Sequence, residues 1–137
     1  MKLAVVDASA LYAAADADDA HHERCVSVLE REDLHFVIAA LALAEALYLI
    51  GVRLGPRAES AFLRGLTNYD VETPAPIDWE RMADLVKRYE NFPLGGTDAS
   101  VIALAERLGT STVVTLERRH LAAVRPNHVE ALDLLPA

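Results

Sequence analysis

Short apolar runs alternate with stretches of helical period from one end of this chain to the other. Residues 2–6 (KLAVV) are a continuous apolar run, which suits a central parallel strand covered on both faces. Asp7 ends that run, and residues 8–15 read as a helix. An acidic turn at 16–19 precedes an amphipathic stretch, 20–32, with Ala20, Cys25, Val28 and Leu29 as core contacts. Residues 35–39 read as a second strand running into an apolar helix that ends near Leu54-Gly55-Pro56. A helix over 57–66 and a strand over 69–73 follow. Asp78 can cap a helix that carries Trp79, Met82, Val86 and Tyr89 on one face. The stretch 94–121 then holds a helix with Val101, Ile102, Leu104, Ala105 and Leu108 at helical spacing, stopping at Gly109. A strand over 112–115, a short helix over 121–124 and a last strand over 129–132 complete the pattern. Alternation of this kind predicts an α/β fold with a mainly parallel sheet.

Composition narrows the class. The 137 residues are 53% hydrophobic and 6% aromatic, so one domain spanning 1–137 with a core of aliphatic side chains and alanine is expected. Twenty-one acids against 13 Lys and Arg give a net charge of −8, which excludes coating nucleic acid by bulk charge. A local basic patch working with a metal is not excluded. The lone cysteine, Cys25, makes no internal disulfide, and with no signal peptide before Asp7 a cytoplasmic protein is expected. Residues 36–52 are apolar except for Glu45 and Tyr48. That run is shorter than the roughly 20 residues of a spanning helix. A carboxylate near its middle would add about 3 kcal/mol in lipid, so no membrane segment is expected.

Four acids fall at strand ends or just beyond them. Asp7 follows the first strand, and Asp98 lies in the first turn of the helix after Gly95-Gly96. Glu117 follows the strand at 112–115, and Glu45 sits on the helix after the second strand. Asp7 is equally a helix cap, Asp98 a first-turn acid favoured by the helix dipole, and Glu117 a solvated loop acid. Glu45 differs, being the only formal charge in residues 36–52 with no basic neighbour three or four residues away. Buried without a partner it would change protonation state, so it must face a cleft, a cation or a metal.

Loops at the carboxyl ends of strands are where open parallel sheets bind ligands. Carboxylates gathered there repel one another unless a cation sits among them. Oxygen-only donors suit Mg²⁺ or Mn²⁺, and the five histidines lack the spacing of a zinc site. Such an ion lowers the pKa of bound water and stabilises charge on a phosphodiester during in-line attack.

Four motifs, VVDASAL, AEALYLI, GGTDASVIALAERLG and TLERRHL, occur in this order across nearly the whole chain. In them the sequence resembles the PIN-domain ribonucleases, and within these the VapC-type toxins of bacterial toxin–antitoxin pairs. The resemblance implies a PIN-like three-layer α/β/α fold and a Mg²⁺- or Mn²⁺-dependent endoribonuclease with acids at Asp7, Glu45 and Asp98. It also implies a VapB-type antitoxin that blocks the site, and a toxin homodimer. The family commonly has Asp where this chain has Glu117. The extra methylene lets that carboxylate reach further but places it less firmly, and activity is expected to survive.

Ser9 and Thr97 sit beside these acids and can hydrogen-bond a carboxylate or a phosphate, as can Thr115 more weakly; ordinary helix-cap chemistry explains them equally. Arg118, Arg119 and His120 can meet RNA phosphates or simply balance nearby acids, and Arg53, Arg57 and Arg64 form a second basic face. Trp79 and Tyr89 are expected to pack. Two rival readings are a PIN-like binding module with a weakened site, for which Glu117 argues, and a phospho-acceptor receiver domain. The receiver wants adjacent acids after the first strand and a late lysine. Here Ala8 follows Asp7, and the only lysines are Lys2 and Lys87.

Overall fold

In a computed structural model covering residues 1–137, strand β1 (Lys2–Val6) lies in the middle of a five-stranded sheet. Helices α1 (Ala8–Ala15) and α2 (His22–Leu29) lead to β2 (Leu34–Ala39), which passes into α3 (Ala40–Leu54) with no intervening residue. Helix α4 (Pro56–Gly65) and a 3₁₀ turn (Leu66–Asn68) precede β3 (Asp70–Glu72). Then come α5 (Pro76–Arg88), α6 (Gly96–Leu108), β4 (Thr112–Val114), α7 (Arg118–Ala123) and β5 (Asp133–Leu135). Every pairing is parallel and the order is β3-β2-β1-β4-β5, a three-layer α/β/α arrangement. No helix is long and apolar enough to cross a membrane.

The strand order reverses between β1 and β4, since the chain winds outward through β2 and β3 on one side and through β4 and β5 on the other. At such a reversal the following connections leave in opposite directions and open a crevice at the carboxyl ends. The Asp7 amide donates to the Val114 carbonyl at 2.9 Å, extending the β1–β4 ladder to the crevice edge. Val5, Val6, Val113 and Val114 are fully buried there, so the crevice floor is rigid. Helix α6 is buried along Ala99–Ala105 and turns into a left-handed residue at Gly109 (φ +68°), whose amide closes the last turn.

Two expectations are corrected. The last strand is 133–135, because the Asp133 amide pairs with Ser111 and the Leu135 carbonyl with Thr115; residues 129–131 are bends and 132 is irregular. Both stretches are short apolar runs, and pairing with β4 selects between them. Helix α5 is rotated by about one residue from its expected face, burying Asp78, Met82 and Leu85 and leaving Trp79 and Val86 exposed. The Asp78 carboxylate accepts from the Ala75 amide at 2.9 Å and from Arg107 Nε at 2.8 Å, and these bonds turn an acid inward. Tyr89 packs on the core as expected, and Trp79 does not.

At Gly109 an added Cβ would meet nothing within 4 Å, so only the backbone conformation demands glycine. Gly109→Ala is therefore expected to lower the unfolding free energy by about 1 kcal/mol, read as a lower urea midpoint with an unchanged slope. An unshifted midpoint would show that this turn is not held left-handed in solution.

Candidate active site

The crevice at the β1–β4 reversal holds a cavity of about 310 Å³ lined by Asp7, Ser9, Glu45, Thr97, Asp98, Glu117 and His120, with Ala8, Leu49, Gly95 and Gly96 completing the wall. Four segments far apart in sequence thus bring all four expected acids to one opening. Each arrives by a different local route. Asp7 occupies the N-cap position of α1 but makes no side-chain cap bond. Its carboxylate instead turns into the crevice, only 2% exposed, and Oδ2 accepts from Thr115 Oγ1 at 2.8 Å and Ser9 Oγ at 3.3 Å. Asp98 is the third residue of α6, fixed by the buried length of that helix behind it.

Thr115 carries more of this arrangement than its sequence position suggests. Fully buried, its hydroxyl donates to Asp7 and accepts from the Glu117 amide at 2.9 Å, so one side chain sets both the first acid and the loop bearing the fourth. The Ser9 hydroxyl accepts from the Leu116 amide at 2.9 Å while reaching Asp7. Ser9 therefore ties the two loops together and is committed to protein partners. Thr97 lines the cavity with no side-chain partner among the protein's hydrogen bonds.

Burial and crowding together set the electrostatics. Asp98 is pushed up to about 6, by burial first, then by Asp7 and Glu117 and more weakly by Glu45, with His120 opposing. Asp7 is raised by burial against the pull of its hydrogen bonds to Thr115, the Ala8 amide and Ser9. Burial, Asp7 and Glu117 also raise Glu45, although Glu45 is an exposed residue facing the cavity and not the buried carboxylate its apolar surroundings suggested. No Lys or Arg lines the cavity; His120 is its one nitrogen base, with Nδ1 at 3.4 Å from Glu117 Oε2.

The donor set is all oxygen apart from His120, which fits a hard divalent cation. As they stand, no three His, Cys, Asp or Glu side chains form a group able to hold an ion. Asp7 and Asp98 are held by buried surroundings, whereas Glu45 and Glu117 are exposed, repelling side chains with room to turn inward. The chemistry of the set and its shared cavity carry the fit.

Two expected phosphate contacts lie outside the cavity lining. Arg118 donates to the carbonyls of Leu134 and Pro136 at 3.3 and 2.9 Å, clasping the C-terminal strand. Arg119 lies over the ring of Phe92, its Cζ 5.6 Å from the centroid. Phe92 itself drew no notice in the sequence, where a single aromatic before a proline carries no signal beyond a helix end. Arg53 lies over Tyr12 at 5.1 Å, part of the α1–α3 packing.

An all-parallel sheet of this order is a PIN-like fold. Residues 4–125 match the family model described as PIN domain, and the chain belongs to that family. It is 33% identical over 124 residues, 89% of this chain and 92% of the relative, to Ribonuclease VapC26 of Mycobacterium tuberculosis. Among solved structures, VapC20 of M. tuberculosis superposes with a TM-score of 0.79 at 23% identity, covering 95% of this chain and 99% of that one. VapBC2 from Rickettsia felis, bound to a promoter DNA fragment, gives 0.71 at 14% identity, covering 96% and 98%. The receiver reading falls with this membership, and neither Lys2 nor Lys87 lines the cavity.

Because the folded-state value of Asp98 lies above the ordinary 3.8, folding favours its protonated form. Metal-free protein is therefore expected to gain thermal stability as pH falls from 7 through about 6 toward 4, and to lose it as pH rises through the same window. Asp98→Asn is expected to melt higher than wild type at pH 7 to 8 and to flatten this dependence. Parallel melting curves for the two proteins across that window would contradict the crowding of the acids.

Proposed function

We propose that this chain is a divalent-metal-dependent endoribonuclease, acting as a single PIN unit over residues 1–137 and as the toxin of a VapBC-type pair. The observation that carries the reading is the convergence of Asp7, Glu45, Asp98 and Glu117 on one cavity whose lining offers no Lys or Arg. The 33% identity to a curated VapC ribonuclease over most of both chains supports the same reading.

Mg²⁺ or Mn²⁺ bound there would acidify water and offset charge on a phosphodiester. Asp7 and Asp98 are the firm members of the donor set, Glu45 and Glu117 the adaptable ones. Thr115 and Ser9 hold Asp7 in place, and Thr97 offers its free hydroxyl to the substrate phosphate. Glutamate at 117 is compatible with activity because Thr115 fixes the backbone of the loop carrying it while the longer side chain stays free to reach into the cavity. An apolar groove of about 320 Å³, lined among others by Leu11, Ala14, Leu29, Phe62 and Tyr69, suits a protein partner such as a VapB-type antitoxin. Homodimerisation and a cytoplasmic site of action belong to the same reading.

Purified protein with Mn²⁺ is expected to cleave structured RNA, to stop when a chelator is added, and to lose about 100-fold or more in rate in Asp98→Asn that retains its fold. Cleavage that persists in chelator, or wild-type protein that cleaves no RNA with Mn²⁺, would overturn the proposal.

A further inference from the structure

Phe92 stands between two side chains of α7. Its ring meets the His120 ring edge-on, with centroids 5.2 Å apart and planes at 71°, and carries the Arg119 guanidinium 5.6 Å from its centroid. Both geometries are favourable for an aromatic quadrupole. The ring does little else. Phe92 is half-buried and is not among the partly buried apolar residues that pack on the core, unlike its neighbour Tyr89.

The two elements that meet at this ring are themselves pinned. The Phe92 amide donates to the Tyr89 carbonyl at 2.9 Å, Pro93 restricts the backbone of Phe92 before it, and Leu94 is buried. On the other side Leu121, directly after His120, is fully buried. A ring held on one rigid segment therefore fixes two side chains on another.

Of the two side chains it holds, one reaches the acid cavity and the other shares its ring. His120 lines the acid cavity, and Arg119 is the residue before it. Arg81, Arg107 and Arg31 are paired with carboxylates and Arg118 with carbonyls. Arg119 is exposed and has neither, so its N–H donors stay open while its plane rests on Phe92. A guanidinium already oriented loses less freedom on meeting a phosphate than one swinging in solvent. In a chain of net charge −8 with an acid cavity, a fixed cation beside the opening is what draws a polyanion to it.

We propose that Phe92 is a positioning residue that holds Arg119, and with it His120, beside the acid cavity so that Arg119 takes a backbone phosphate of the bound RNA strand. This rests on the ribonuclease reading above and assigns the contact that places the strand.

The test uses the full chain and a short single-stranded oligoribonucleotide of mixed sequence. In an Asp98→Asn background, binding is followed by fluorescence anisotropy across a salt series. Phe92→Leu and Arg119→Gln are each expected to reduce the slope of log affinity against log salt by about 0.7, the value of one phosphate contact to a single strand. Phe92→Tyr, which keeps the ring, is expected to keep the slope, and Phe92→Leu combined with Arg119→Gln to lose no more than Arg119→Gln alone. In the active protein Phe92→Leu is expected to raise KM about fivefold with kcat within about twofold, the signature of lost uniform binding. An unchanged slope in Phe92→Leu, or additive losses in the double variant, overturns the role of Phe92. A wild-type protein that cleaves RNA alongside either result leaves the nuclease standing, whereas one that cleaves none removes both.

Discussion

The mutual repulsion of carboxylates around Asp7 is the constraint on which the rest of the site depends. A carboxylate 2% exposed has lost most of its hydration, and two hydroxyl groups replace only part of it. Burial first, and then Asp7, Glu117 and Glu45 at the same opening, raise the cost of ionising Asp98 enough to move it to about 6. A fold does not maintain such an arrangement for stability, since neutral side chains of the same size would serve better there. The arrangement makes sense when a divalent cation shares the cavity, because each repulsion then becomes an attraction to the ion.

Sheet topology explains why these acids meet. The reversal between β1 and β4 puts Asp7 and Thr115 at adjacent strand ends, and the bond between them crosses 108 residues of sequence. Direct passage of β2 into α3 brings Glu45 round to the same opening, and the buried body of α6 supplies Asp98. The rigid members come from buried elements and the adaptable ones from exposed positions.

Much of this was legible in the residues. Short apolar runs named β1, β2 and β4, glycine marked the end of α6, and strand-end acids named the cavity, because each depends on local chemistry. Where partners far apart in sequence decide, the reading failed. Asp78 looked like a surface cap, but Arg107, 29 residues away, draws it inward and turns Trp79 out to solvent. Residues 129–132 and 133–135 are equally apolar, and only pairing with β4 chooses between them. Arg118 and Arg119 are adjacent and chemically identical, yet one clasps carbonyls while the other rests on Phe92. Glu45 is an unpartnered charge in an apolar run, and the cleft it lines also exposes it.

The chain is a PIN-domain protein, and its crevice is lined by carboxylates from four segments. The central claim is that the gathered acids form a divalent-cation site. Calorimetric titration of the purified protein with Mn²⁺ at pH 7 tests it most directly. Saturable binding that is abolished in Asp7→Asn and in Asp98→Asn, both still folded, is the result the account predicts. Binding of equal strength in all three proteins, or none in the wild type, would contradict it.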